Sequence, residues 1–156
     1  RGDLEERSYP AYASYVVQPL IDQPPTPLAR FGESIQLTDF AAETEGSIWR
    51  ARLEWTAQAQ PDDDYTAFVY LCDEDCTTGQ PIAQDDAQPG GRYYPTHLWR
   101  PGDVVVDIRT LELPQDAPGE RKIAVGLYAW PEMGRLPVTM PSGTAMEDML
   151  ILTVDN

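Results

Sequence analysis

The stretch "SIWRARLEWTA" (Ser47–Ala57) alternates apolar and polar side chains almost without interruption. Trp49, Ala51, Leu53, Trp55 and Ala57 fall on one side of an extended chain, and Arg50, Arg52, Glu54 and Thr56 on the other. A helix would scatter the first group around its circumference, whereas a strand gathers it on one face. The rhythm therefore predicts a strand with one buried side. "ESIQLTDF" repeats it, with Ile35 and Leu37 set against Gln36 and Thr38. So do "KIAVGLYA", with Ile123, Val125, Leu127 and Ala129 in phase, and "DMLILTVDN", with Leu150, Leu152 and Val154. "YTAFVYLC" is apolar on both faces, as a central strand is. "GDVVVDIRTLELP" reads as a long strand. Its apolar phase runs Val104, Val106, Ile108 and then moves to Leu111 and Leu113. A slip of one residue predicts a β-bulge near Arg109 or Thr110. Short strands are expected at Ile82 to Gln84 and Arg135 to Val138.

No segment carries a convincing helical period, and most Pro and Gly residues lie between the apolar runs. About eight strands separated by turns predict an all-β fold, a two-sheet antiparallel sandwich. Long connections favour jelly-roll-like crossings over a meander. Residues 1–30 hold five prolines, "QPPTP" among them, and read as an N-terminal lead to a sandwich over 31–156. Within the lead, "YASYVVQPL" is expected to add one edge strand. The chain opens "RGDLEERSYP" with no initiator Met, and reads as a segment of a longer protein.

A net charge of −15 over 156 residues excludes nucleic acid as a partner, because phosphate binding needs clustered Lys and Arg. It also disfavours an anionic membrane surface. No apolar run approaches the roughly 20 residues that span a bilayer, so this segment is not expected to insert directly. Cys72 and Cys76 form a C-x3-C pair in "LCDEDCTTG". Such a pair closes a small disulfide if the turn brings the Cα atoms to about 5–6 Å; that would imply an oxidising compartment. Zinc fits less well, for it takes four ligands and no second Cys pair or Cys/His cluster exists.

Signatures of catalysis are sparse. His97 is the one histidine, so a Ser-His-Asp arrangement would have to use it. Paired carboxylates, which glycoside hydrolysis needs, sit in predicted turns at 62–64, 73–75 and 85–86, where Asp more often caps and solvates backbone. A carboxylate-dependent hydrolase remains an alternative on these grounds. Asp73, Asp75, Asp85 and Asp86 are also weak calcium candidates, in acidic turns that lack the EF-hand spacing. No other cofactor is suggested.

A sheet face carries a stronger signal. If Trp49 and Trp55 point inward, Arg52 points outward. Tyr128 and Trp130 oppose the apolar phase of their strand, and Asp107 and Arg109 are read in the same way. Trp99 stands at the entry to the long strand. Sugars bind surfaces of this composition, because C–H faces stack on aromatic rings while hydroxyls bond to planar charged groups. Arg52, Trp99, Asp107, Arg109, Tyr128 and Trp130 are therefore the candidate carbohydrate contacts. The competing reading is ordinary cross-strand pairing. Likewise "YYPTHLWRPGD" is explained by a loop brace, with Trp99 burying its ring and Thr96 bonding local backbone.

The stretches "FGESIQLTDF", "LEWTAQAQPDDDYTAFVYL", "AQDDAQPGGRYYPTHLWRPGDVVVD", "LELP", "GLY" and "GRLPV" come in an order that resembles a bacterial accessory domain. It is the β-sandwich at the extracytoplasmic C-terminal end of multi-spanning membrane proteins similar to dolichyl-phosphate-mannose-type glycosyltransferases. The resemblance covers roughly residues 30–154 and is most specific from Gln84 to Asp107. It implies an extracytoplasmic location, a tether to a membrane-embedded remainder, and a non-catalytic role near glycan. It supplies no catalytic residues, and the Cys72/Cys76 pair is not part of it. A purely structural or protein-interaction sandwich without a small ligand is the main alternative.

Overall fold

The alternating stretch around Trp49 lies at the centre of the first of two antiparallel sheets. A computed structural model describes residues 15–17, 26–72, 76, 81–115, 121–129, 132 and 134–154. In chain order the strands begin with β1 (Tyr15–Val17), β2 (Ala29–Phe31), β3 (Ile35–Glu45), β4 (Ile48–Ala57), β5 (Tyr65–Cys72) and β6 (Ala83–Ala87). They continue with β7 (Val104–Glu112), β8 (Arg121–Ala129), β9 (Gly134–Arg135), β10 (Val138–Thr139), β11 (Ala145–Met146) and β12 (Leu150–Val154). The first sheet runs β1-β7-β4-β3-β2-β10-β11, and the second β12-β8-β5-β6 with β9 added against β8. The chain crosses between sheets after β4, β6, β7, β9 and β11, so the all-β sandwich has the jelly-roll-like connections expected, not those of a meander. One turn of 3-10 helix, Thr96–Leu98, interrupts the β6–β7 connection. No helix among the described residues is long and apolar enough to cross a membrane.

The inner row of β4 is the predicted one: Trp49, Ala51, Leu53, Trp55 and Ala57 are all at most 1% exposed. Across the interior lie Ala67, Val69 and Leu71 of β5 and Ile123, Val125 and Leu127 of β8, in the same core cluster. Phe31 meets Trp55 edge to face with ring centroids 5.4 Å apart. Truncating a Trp buried in this way to Ala costs about 3–5 kcal/mol, which gives the alternation of β4 its structural force.

Two register expectations are corrected. β4 pairs with β7 without a break from Ile48↔Glu112 to Thr56↔Val104, so there is no bulge at Arg109 or Thr110. The inward row of β7 is Val105, Asp107, Arg109 and Leu111, opposite Trp55, Leu53, Ala51 and Trp49. Two polar residues in that row imitate a phase slip. The irregularity lies instead in β3, between Leu37 and Asp39. It carries Phe40 into line with Leu53, and Thr38 bonds outward to the Glu54 carbonyl at 3.1 Å. The lead also enters the fold: β1 is the expected edge strand beside β7, and β2 begins at Ala29, just inside it.

The second sheet has a small apolar layer on its outer face. Phe68 lies flat over Gly126, where an added Cβ would stand 2.3 Å from the ring. Tyr70 stacks on Phe68 at 4.5 Å, and the Arg135 guanidinium sits 4.6 Å from its centroid. At the end of β5, Cys72 and Cys76 are joined in a disulfide with Cα atoms 5.3 Å apart.

Candidate functional site

The β6–β7 connection carries the chain from one sheet to the other, and its residues are tied down almost one by one. Gly91 has φ +73°, a conformation L side chains rarely adopt, and its N–H donates to the Gln88 carbonyl at 2.9 Å. Gly90 passes so close to the Tyr94 carbonyl that a Cβ would lie 2.4 Å from it. The Trp99 indole N–H donates to that same carbonyl at 3.0 Å, and its ring stacks beside Tyr94. The Tyr94 hydroxyl donates to Asp103, and burial followed by that carboxylate raises the Tyr94 pKa above its ordinary value. Thr96, fully buried, donates to the Asp63 carbonyl at 2.6 Å and accepts from the Tyr65 N–H at 2.8 Å. The segment is therefore a brace. Tyr93, between these anchors, is 83% exposed.

Beside Tyr93 a cleft of about 450 Å³ opens between β6 and the second half of β7. Its floor is the polar pair of the β7 inner row. Arg109 Nε donates to Asp107 Oδ1 at 2.9 Å. Its Nη1 donates to the Ala67 carbonyl at 3.0 Å and the Asp85 carbonyl at 3.2 Å, and its Nη2 to the Ala87 carbonyl at 2.8 Å. The Trp55 indole N–H completes the network by donating to Asp107 Oδ2 at 3.1 Å. Asp107 and Arg109 side chains are both 2% exposed, so this network clamps the two sheets together. The Asp85 carboxylate, 3.4 Å from Arg109 and 39% exposed, forms part of the wall. Arg92 lies over the Tyr93 ring at 5.2 Å and donates to its hydroxyl at 3.2 Å.

The single sheet face expected to collect the sugar contacts does not form. Arg52 lies on the outer face of the first sheet, 3.4 Å from Asp39 and 3.5 Å from Glu54. Asp107 and Arg109 lie on its inner face, because strand alternation puts them in phase with Val105 and Leu111. Tyr128 lies on the outer face of the second sheet, is 9% exposed, and donates to Asp86 Oδ2 at 2.9 Å. Trp99 is fully buried and offers no ring to a ligand. Trp130 lies outside the described residues. Of the five that are described, only Asp107 and Arg109 meet, at the floor of the cleft.

The calcium candidates separate in the same way. Asp85 and Asp86 are successive residues of β6, one turned to Arg109 and the other to Tyr128, so they cannot share an ion. Asp73 and Asp75 lie outside the described residues. Among the described residues no group of three or more His, Cys, Asp or Glu side chains is placed to hold a metal. His97 pairs through Nδ1 with Asp64 at the surface, both about half exposed.

Tyr93, Arg92 and the inward role of Asp85 were not singled out from the sequence. The sequence shows only that Tyr93 and Tyr94 are adjacent in a Gly/Pro-bounded loop, where no strand period assigns a side chain to the interior. A larger cleft of about 630 Å³, lined by Arg30, Glu33, Asp62, Tyr65 and Leu136, lacks this feature. Its aromatics, Phe31 and Tyr65, are buried, and the Tyr65 hydroxyl is engaged by Asp62 at 2.7 Å. No protein-family model matches the chain, and no curated protein matches it.

Proposed function

We propose that this domain is a non-catalytic accessory module that binds carbohydrate in the cleft beside Tyr93. The observation that carries this reading is an aromatic ring 83% exposed on an anchored loop, next to a polar cleft. The loop backbone on either side of it is anchored, at the Gly91 N–H and the Tyr94 carbonyl, and the exposed ring offers a surface for the C–H face of a sugar. Asp85, Gln88 and Thr110 in the wall supply hydrogen-bonding groups for the hydroxyls. Asp107 and Arg109 serve by positioning this wall, through the bonds from Arg109 to Asp85 and Ala87.

The wider setting is part of the same proposal: an extracytoplasmic module tethered to a glycosyltransferase-like membrane protein. The sequence resemblance supports it, and the Cys72–Cys76 disulfide is compatible with an oxidising compartment. A protein-interaction domain is the second reading. It is favoured by Leu98, 47% exposed on the loop that also bears Tyr93.

Affinity electrophoresis through gels containing soluble glucan, mannan, galactan or xylan tests the proposal. The wild type should be retarded by at least one. Tyr93→Ala should lose about tenfold in affinity, the equivalent of about 1.4 kcal/mol, with an unchanged circular dichroism spectrum. No retardation in any gel, or equal retardation of the variant, refutes the sugar site.

A further inference from the structure

The hydrogen-bonding character of the cleft narrows the ligand class, on the footing that the Tyr93 cleft is a sugar site. Its buried cation is turned away from any ligand. Arg109 spends Nε on Asp107, Nη1 on Ala67 and Asp85, and Nη2 on Ala87. Two carboxylates, Asp107 and Asp85, share that one guanidinium. The reachable one is Asp85, whose Oδ2 is held only loosely, at 3.4 Å. An ionised carboxylate accepts hydrogen bonds and donates none, so its partner must bring donors, which on a neutral sugar are its O–H groups. Arg92, the other cation at the rim, lies over Tyr93 and bonds to its hydroxyl. A uronic or sulfated sugar would set its anion against Asp85, on a chain whose net charge is −15.

We infer that the cleft selects neutral, polyhydroxylated sugars, with Asp85 accepting ligand hydroxyls beside Tyr93 and rejecting carboxylated or sulfated glycans. Asp85 is thus the specificity-determining residue of the site. Asp86, its neighbour, has no part in this, because it faces the other side of β6 and holds the Tyr128 hydroxyl.

The test takes whichever polysaccharide is most retarded in the screen above and compares it with its own carboxymethylated derivative by calorimetric titration. Wild type should bind the carboxymethyl derivative at least tenfold more weakly, and the gap should narrow in high salt. Asp85→Asn should weaken binding of the neutral polymer about tenfold and bring the two affinities together. Equal or tighter binding of the carboxymethyl form by the wild type overturns the inference whatever the variant does. So does a preference that Asp85→Asn leaves intact. If no polysaccharide is retarded, the sugar reading fails first. If a neutral one is bound but carboxymethylation makes no difference, only the selectivity fails.

Discussion

Arg109→Met removes the guanidinium that holds the sheets together while keeping most of the side chain's apolar stem. Packing is then largely preserved, and the loss is one of charge and hydrogen bonding. In the native fold the group serves Asp107, the Ala67, Asp85 and Ala87 carbonyls and the Asp85 carboxylate. Without it, Asp107 keeps the Trp55 N–H but loses the cation bonded to it, at 1% exposure. Removing one partner of a buried ion pair costs about 3–5 kcal/mol. With a urea m-value of about 2 kcal/mol/M, the unfolding midpoint should fall by about 2 M. Adding Asp107→Leu should recover most of the loss, since no uncompensated charge remains. A deficit below about 1 kcal/mol for the single variant, or a double variant as unstable as the single, refutes the clamp.

Two further outcomes follow from the outer face of the second sheet. Gly126→Ala places a Cβ 2.3 Å from the buried Phe68 ring; displacing that ring should cost about 1–3 kcal/mol in a urea melt, and an unchanged midpoint would show that the ring moves freely. Burial, then the hydrogen bond to Asp86 and its charge, push the Tyr128 hydroxyl up to about 12. Its unfolded value is about 10, so its contribution is complete below pH 10 and is lost as pH rises through 12. Tyr128→Phe should flatten the fall of the urea midpoint over that window, though only in part, because Tyr65 is raised in the same direction. An equal slope in the Phe variant refutes the assignment.

The proposed site divides the same way between what was legible and what was not. Strand alternation in the sequence puts Asp107 and Arg109 on one face of β7, but reads that face as the solvent one, whereas it is the inner one. Hydrophobicity is the only guide to which side of a strand faces inward. A buried, fully bonded ion pair reads like a surface one. Tyr93 left no periodic trace, since a loop has no period; beside it Trp99 is fully buried and Tyr94 partly so.

Read alone, the chain determined the strands themselves: the inner row of β4, the two-faced β5 and the in-phase run of β8. Those are properties of a few consecutive residues, governed by backbone geometry that repeats every second residue. The tertiary structure decided what depends on residues far apart. It set the β4–β7 register that turned Asp107 and Arg109 inward, the opposite aims of Asp85 and Asp86, and the meeting of β6, β7 and the Tyr93 loop around one cleft. Those contacts join positions dozens of residues apart, and their partners are chosen by mutual shape and hydrogen bonding that no single segment encodes.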